Sequence, residues 1–342
     1  MKNLYVHCGL HKTGTTALQY VLFHNREQLA KQGFHYPIQG IPRNNFGHHN
    51  IAWQLSRDRR FRPRYGDIRA LFSEFEKVDR NIILSSEDFE CSLLHPYRWE
   101  NFNKYLFSNN IKITFIIYLR NRLGYLESLY FELLKAGFGG EYNLFVKEVF
   151  TNLKFSYREW EFSFDYLEIA SRFNEMENVE VIFKNYDSLV EGNIVPDFCK
   201  SVGLDHSKII QPVNVGKINE RLSLGVLLKL FIKNRNKNSA LTNDIAQVID
   251  ELCMEVKGSL ASPAYMQKEF KVDHYESLFD QSQTAVKMPK TDRKRSANIK
   301  NVFSMETHLL ILNLHNLKDR PDIKSKLIGQ WLGWIELNDR PV

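Results

Sequence analysis

The sequence is poor in cysteine and contains no long hydrophobic run. No apolar run approaches the roughly 20 residues that a membrane-spanning helix needs, and the first predicted strand begins almost at Met1, so we expect neither a cleavable signal nor an N-terminal anchor. The cysteines lack the spacing of a metal site and the density of a disulfide framework, which predicts free thiols in a reducing compartment. These four cysteines are Cys8, Cys91, Cys199 and Cys253. We therefore expect a cytoplasmic protein without a transmembrane segment, bacterial in style; peripheral attachment at the inner face of a membrane stays open.

Neither sign of charge dominates, and internal repeats are absent. The 342 residues include 46 Lys and Arg against 40 Asp and Glu, a net charge of +6. Such a modest excess fits an anionic nucleotide or glycan, and we predict no nucleic-acid partner. The length is sufficient to bury a substantial core.

The segment from Leu4 to Leu18 predicts a strand, a loop and a helix. A short apolar run ends at Gly9, and a second glycine, Gly14, precedes an amphipathic segment. Glycines allow positive φ and close approach of an anion, and the start of a helix presents unpaired N–H groups and a positive dipole end. The pattern predicts a phosphate-binding loop. Its lysine, Lys12, lies between the glycines, whereas a nucleoside triphosphatase carries it after the second one.

The stretch from His11 to Leu18 resembles the 5′-phosphosulfate loop of sulfotransferases that use 3′-phosphoadenosine 5′-phosphosulfate (PAPS). It is most similar to the carbohydrate branch, whose loop reads Lys-Thr-Gly-Thr-Thr. The resemblance implies that Lys12 stabilises the leaving phosphate oxygen. It also implies that the donor's phosphosulfate is bound by His11, Lys12, Thr13, Gly14, Thr15 and Thr16. Cytosolic members often have a tryptophan where Ala17 stands, so the residue that contacts adenine is not indicated.

A second motif follows the apolar strand predicted over Lys112 to Leu119. The strand ends at Arg120, and Ser128 follows eight residues later on a predicted helix. This arrangement resembles the 3′-phosphate motif of the same enzymes, in which an arginine offers a fork of donors and a serine a hydroxyl. In this order after the first loop, the two motifs imply one PAPS site whose product is 3′-phosphoadenosine 5′-phosphate (PAP).

A candidate base lies at the end of another predicted strand, Arg80 to Phe89. Glu87 is at the carboxyl end, where chemistry collects in doubly wound sheets, and it matches the glutamate of heparan N-sulfotransferase-like enzymes in position and type. A carboxylate there could accept the acceptor's proton. Alternatively, Glu87 caps a helix or pairs with Arg120, and Asp88 is the second candidate.

Two histidines and an arginine run leave alternatives open. His48 and His49 could bind the acceptor or act as a base, or they could form a loop-to-helix cap with one ring packed and one solvated. No ligand spacing indicates a metal. The arginines from Arg57 to Arg64 could hold an acidic glycan, or they could form a solvated loop.

The predicted fold class is α/β, with a three-layer, P-loop-like parallel sheet flanked by helices and a helical C-terminal extension. We predict a PAPS-binding core over residues 1–213 and a helical region over 214–342 that packs on it, with a polar linker from Lys287 to Lys300. The aromatic-rich stretch from Tyr142 to Phe173 is predicted to be helical.

These motifs predict a sulfotransferase that moves the sulfuryl group of PAPS in line to a hydroxyl or amine of a carbohydrate-like acceptor. The acceptor could be a glycan, a lipopolysaccharide or a glycolipid, as in polysaccharide biosynthesis. No metal is expected, and a homo-oligomer stays open. The alternatives are a P-loop kinase or nucleoside triphosphatase, which would need Mg²⁺, and a non-catalytic nucleotide-binding member of the fold.

Overall fold

Seven strands and fourteen helices are described here in chain order. The strands are β1 (Lys2–Gly9), β2 (Phe34–His35), β3 (Asn81–Ser85), β4 (Ile111–Leu119), β5 (Lys154–Tyr157), β6 (Trp160–Ser163) and β7 (Val179–Asn185). The helices are α1 (Thr15–His24), α2 (Arg26–Lys31), α3 (His49–Ser56), α4 (Ile68–Glu76), α5 (Glu90–Leu93), α6 (Glu100–Ser108), α7 (Arg122–Lys135), α8 (Tyr142–Asn152), α9 (Tyr166–Asn174), α10 (Ile194–Val202), α11 (Leu224–Arg235), α12 (Asn243–Val256), α13 (Met305–Asn316) and α14 (Pro321–Asn338).

The computed structural model describes residues 2–10, 13–174, 176, 178–189, 193–210, 222–236, 243–256, 303–317 and 320–338. The chain divides into two units. The first comprises Met1–Asn121, Arg158–Glu220 and Asp273–Pro289, and the second comprises Arg122–Tyr157, Arg221–Val272 and Lys290–Val342. The predicted boundary at residue 213 stays a prediction, because residues 211–221 lie outside the described part.

The first unit is built on a five-stranded parallel sheet in the order β2-β3-β1-β4-β7. From β1 the chain runs to β2 and β3 on one side and then crosses to β4 on the other. The strand order therefore reverses beside β1, and crevices at such a switch point are the usual ligand sites of open α/β sheets. Strand β4 is buried at eight of its nine positions, as a central parallel strand should be. The predicted α/β fold class is confirmed.

Helices cover both faces of this sheet. On one face, Leu18 of α1 and Phe198 of α10 join a buried cluster with Ile116 of β4. Side chains of neighbouring strand residues point to opposite faces. Phe115 accordingly packs on the other face, against Trp99 with a centroid distance of 4.9 Å and against Phe173 with one of 4.7 Å. The three layers hold the strand ends in fixed register.

Two local predictions are wrong. The helix predicted from Thr15 to Gln32 divides at Asn25, whose side-chain amide donates to the Val21 carbonyl at 2.9 Å and ends α1. The stretch from Tyr142 to Phe173 is not helical throughout, because α8 ends at Leu153 with φ of 51° and strands β5 and β6 follow. The alternation in Lys154–Tyr157, with Phe155 buried between exposed neighbours, is a strand pattern.

In the second unit, the regular elements of the described residues are helices and the strand β5. Asn234 of α11 donates to the carbonyls of Leu134 at 2.8 Å and Phe138 at 2.9 Å, and so joins α11 to the end of α7. The aromatic rings of Tyr130 and Phe303 lie 5.5 Å apart. The described part of the predicted helical region, residues 214–342, contains the helices α11 to α14, and the predicted linker from Lys287 to Lys300 falls outside the described residues. In the part of the chain described, no helix is long and apolar enough to cross a bilayer.

Candidate active site

The loop between β1 and α1 has the backbone geometry of an anion site. Gly14 adopts φ of +73°, in the left-handed region, and α1 begins after it without a side-chain cap. The first N–H groups of an α-helix have no partner within the helix, so those at the start of α1 are placed to receive an anion. A Cβ at Gly9 would stand 2.3 Å from Thr13 Oγ1 and 2.6 Å from Thr15 Oγ1. Glycine is therefore required at both positions.

Contacts of Thr13 and Thr15 within the loop stabilise its conformation. Thr13 Oγ1 donates to the Leu10 carbonyl at 2.7 Å and lies 3.4 Å from Thr15 Oγ1, and both side chains are buried. Thr16 is half-buried in the first turn of α1. His11 and Lys12 lie outside the described residues, so their predicted roles stay predictions.

The ends of β1, β4 and β7 meet at the same edge of the sheet. Gly9 is in register with Tyr118, and Leu119 with Asn185. The residue after Asn185, Tyr186, places its hydroxyl 3.5 Å from the position that a Cβ on Gly14 would take. The end of β7 therefore borders the loop.

Arg120 lies at this edge, one residue past β4. Its Nε is 3.7 Å from Asp187 Oδ1, and its carbonyl accepts a hydrogen bond from the Tyr166 hydroxyl at 2.8 Å. Asp187 also accepts a hydrogen bond from the Asn121 N–H. Burial raises the pKa of Asp187, although that hydrogen bond and the charge of Arg120 act in the opposite direction. Because Tyr186 borders Gly14 and Asp187 pairs with Arg120, two consecutive residues connect the loop to the arginine.

Ser128 belongs to the second unit. It lies on α7, and its hydroxyl donates to the Gly124 carbonyl one turn earlier at 2.7 Å. Its predicted contact with a 3′-phosphate stays a prediction.

Glu87 lies two residues past the end of β3, in the turn Glu87–Phe89. Ser86, and not Glu87, caps this turn, since Ser86 Oγ accepts from the Asp88 N–H at 3.1 Å. Glu87 Oε2 accepts a hydrogen bond from Gln19 Nε2 at 2.8 Å, and its side chain is 23% exposed. Gln19 lies on α1, four residues after Thr15, so the carboxylate is bonded to the helix that the anion loop opens.

Asp88 is held by three donors. Its Oδ2 accepts from His49 Nδ1 at 2.9 Å and from Trp53 Nε1 at 3.0 Å, and its Oδ1 accepts from Arg60 Nη2 at 3.0 Å. A carboxylate with both oxygens bonded to donors favours the charged form and is poorly suited to take up a proton. These contacts favour Glu87 over Asp88 as the base.

Arg60 belongs to the arginine run but points inward. Its guanidinium lies between two indoles, 4.7 Å from the centroid of Trp53 and 4.9 Å from that of Trp160. It also donates to Asp58 Oδ2 at 2.6 Å, and Asp58 accepts from Trp160 Nε1 at 3.0 Å. Burial alone would raise the pKa of Asp58, but the hydrogen bonds and charge of Arg60 outweigh it and lower that pKa. The other four arginines of the run, Arg57, Arg59, Arg62 and Arg64, are exposed.

His48 has the contacts of a structural residue. It is fully buried, its Nδ1 accepts from the Ser85 N–H at 3.1 Å, and its Nε2 donates to the Pro37 carbonyl at 3.1 Å. Burial lowers the pKa of His48 to about 3. Both ring nitrogens are bonded in the interior, which favours a structural role, and the predicted contact of His48 with an acceptor stays a prediction. His48 joins its loop to the end of β3.

His49 is also buried, so the expectation of one solvated histidine is wrong. Its Nδ1 lies 2.9 Å from both Asp88 Oδ2 and Ser86 Oγ. A serine nucleophile, a histidine base and an orienting aspartate need the two ring nitrogens for different partners. Since serine and aspartate share one nitrogen here, the arrangement is not a catalytic triad.

Gln19 and Tyr186 were not predicted as site residues, and Arg60 entered the predictions only as a member of the arginine run. The sequence segment around Tyr186 signals the end of a strand, but neither the glutamine nor the inward arginine carries a motif. Among the described residues, no group of three or more His, Cys, Asp or Glu side chains could hold a metal ion.

No family model matches the chain, and no curated protein matches it. Among solved structures, the chain is similar to the crystal structure of a sulfotransferase from Alicyclobacillus acidocaldarius. The identity is 16%, the match covers 68% of this chain and 92% of that one, and the TM-score is 0.35. A likeness at this level carries no functional argument.

Proposed function

We propose that this protein is a sulfotransferase that moves the sulfuryl group of PAPS to a hydroxyl or amine of a carbohydrate-like acceptor. One observation carries the proposal: the uncapped start of α1, Arg120 and Glu87 lie at the same carboxyl edge of the sheet. Gln19 of α1 donates to Glu87 at 2.8 Å. Arg120 pairs at 3.7 Å with Asp187, the residue after Tyr186, which borders Gly14 of the loop.

The residues at the loop fit a phosphate group. The glycines keep Cβ atoms away from it, and the N–H groups that begin α1 supply donors and a positive dipole end. Bound PAPS would supply a sulfuryl group on an anionic phosphate leaving group. In this proposal Lys12 and the N–H groups of Gly14, Thr15 and Thr16 bind the phosphosulfate and stabilise the charge that develops on the leaving oxygen.

Arg120 and Ser128 would recognise the 3′-phosphate in the same scheme. Arginine suits this task, because its planar fork can donate two hydrogen bonds to one phosphate. Asp187 beside Arg120 holds the arginine side chain in place before the nucleotide arrives.

Glu87 would accept the proton that the acceptor loses as the new S–O or S–N bond forms. Gln19 orients this carboxylate by donating to Oε2, which leaves Oε1 for the acceptor. Transfer would be in line and would need no covalent enzyme intermediate and no metal.

The acceptor class and cellular place belong to the same proposal. We infer a glycan, lipopolysaccharide or glycolipid acceptor, and an enzyme that works in the cytoplasm of a bacterium. The exposed side chains of Arg57, Arg62 and Arg64 support an acceptor of anionic character.

The test first compares the affinities for different nucleotides and then measures sulfate transfer. PAP, ATP and GTP are titrated with and without Mg²⁺ against wild type and Lys12→Ala, with the exposed Arg69→Ala as the control. We expect binding of PAP that does not need Mg²⁺ and that weakens in Lys12→Ala alone. Mg²⁺-dependent binding of ATP or GTP in preference to PAP would favour the kinase or nucleoside triphosphatase alternative. Sulfate transfer from labelled PAPS to a glycan panel, lost in Glu87→Gln while PAP still binds, would separate an enzyme from a non-catalytic binding protein.

A further inference from the structure

His49 lies against Glu87 in a cluster of carboxylates. Its Nδ1 is 4.0 Å from Glu87 Oε2 and 2.9 Å from Asp88 Oδ2. Asp58 adds a third carboxylate, bonded to Arg60 at 2.6 Å. A protonated imidazole at position 49 is attracted by the two carboxylates nearest to it.

Hydrogen bonds and a stacked ring fix the orientation of the His49 imidazole relative to Glu87. Asp88 Oδ2 and Ser86 Oγ each lie 2.9 Å from Nδ1, which places the proton on that nitrogen. The Trp53 ring stacks on the imidazole at a centroid distance of 6.0 Å and donates to the same Asp88 oxygen. The imidazole therefore keeps its Nδ1–H edge toward the two carboxylates.

We propose that His49, as an imidazolium held by Asp88 and Ser86, is a positioning residue that pairs with the carboxylate of Glu87 and orients it to accept the acceptor's proton. The role given to Glu87 rests on the proposed function. The charge pair between His49 and Glu87 does not, because it can be measured without turnover.

The titration of His49 agrees with this geometry. Burial alone would lower the pKa of His49, but Glu87, together with the hydrogen bond and charge of Asp88, outweighs burial and raises that pKa. The charge of Arg60 opposes the charged form of His49 more weakly. An imidazolium at this distance attracts the carboxylate of Glu87. It has no free lone pair at Nδ1 with which to act as the base itself.

Turnover against pH is the first test. In His49→Gln the side chain can still donate to Asp88 but carries no charge. We expect activity to fall at acidic pH, where the wild-type imidazole carries its charge, and to stay close to wild type at alkaline pH, where the wild-type imidazole is neutral too. A uniform loss at all pH values would assign His49 a structural role. A variant inactive at every pH, together with an active Glu87→Gln, would make His49 the base and overturn the proposal.

A titration of histidine resonances tests the pair without any substrate. The ring of ¹³C-labelled His49, assigned by comparison with His49→Gln, is followed against pH in wild type, Glu87→Gln and Glu180→Gln. Glu180 is a matched control, since its carboxylate pairs with Lys112 at 2.6 Å. We expect the midpoint of His49 to fall by about one pH unit in Glu87→Gln and to stay unchanged in Glu180→Gln. An unchanged midpoint in both variants would overturn the proposal even if the protein transfers sulfate. A shift confined to Glu87→Gln would support the pair even if it does not.

Discussion

Gln19 and Glu87 are joined by a hydrogen bond of 2.8 Å between Nε2 and Oε2. The glutamine lies in the second turn of α1 and is 1% exposed, while the glutamate follows β3. The bond therefore fixes the candidate base relative to the helix whose start forms the anion loop. This link makes it possible to separate nucleotide binding from chemistry by mutation.

Replacing Gln19, which donates the hydrogen bond to Glu87, should lower turnover and leave the affinity for PAP unchanged. Gln19→Leu keeps an apolar stem of similar length but removes the bond to Glu87. A neutral donor bonded to a charged acceptor is worth about 1.5–3 kcal/mol, which corresponds to a fall in kcat of roughly 10- to 100-fold. The measurement pairs kcat with a PAP titration. Unchanged kcat would show that the bond does not orient the base, and loss of PAP binding would show a wider collapse of the loop.

A substitution at Gly47 tests the hydrogen bond between Gln19 and Glu87 through steric contact. A Cβ on Gly47 would lie 2.5 Å from Gln19 Cδ and 2.6 Å from Nε2, so Gly47→Ala should displace the amide from Glu87. We expect kcat to fall about tenfold, as for loss of a typical hydrogen bond. Gly329→Ala is the control, because a Cβ there meets no atom within 4 Å. Equal kcat in the two variants would contradict the role assigned to Gln19.

Arg60 should matter more for stability than the exposed arginines of its run. Arg60→Ala removes the partner of Asp58 and Asp88 and leaves a gap between Trp53 and Trp160. Because the Arg60 side chain is 34% exposed, solvent screening reduces the loss to about 2 kcal/mol of unfolding free energy. Arg64, whose guanidinium lies 4.9 Å from the Tyr65 ring at the surface, is the control. Urea unfolding of Arg64→Ala should differ from wild type by less than about 0.5 kcal/mol. Equal losses of unfolding free energy in both variants would contradict the stabilising role assigned to Arg60.

The buried, neutral state of His48 should make the folded protein less stable at acidic pH. Its folded-state pKa of about 3 lies below the ordinary value of 6.5, so the unfolded chain binds a proton first as the pH falls. The contribution of His48 is therefore largest above pH 6.5 and is lost as the pH decreases toward 3. Between pH 7.5 and 5.5, the free energy of unfolding should fall by about 1.4 kcal/mol more in wild type than in His48→Gln. Denaturant unfolding at both pH values measures this, and identical pH dependence in the two proteins would mean that His48 is not held neutral.

Local sequence patterns predicted the central strands of the sheet and placed Glu87 and Arg120 close behind two of them. Each strand is a short apolar run, and parallel strands in an α/β fold bring their carboxyl ends to one edge. The break at Asn25 depends on a contact with the Ile210 carbonyl, 185 residues away, at 3.0 Å. The inward turn of Arg60 likewise depends on Asp88 and Trp160. Such contacts have no period or motif along the chain, so they became visible only in the structure.

The central claim is that the loop after β1 and Arg120 hold opposite ends of one nucleotide. The most direct measurement is the affinity ratio between PAP and adenosine 5′-phosphate, which differ by the 3′-phosphate, in wild type and in Arg120→Ala. The account predicts that wild type prefers PAP and that the substitution weakens PAP binding by about 2 kcal/mol or more, as for a charged hydrogen-bond donor. Binding of adenosine 5′-phosphate should change little. A ratio that is the same in both proteins would contradict the claim.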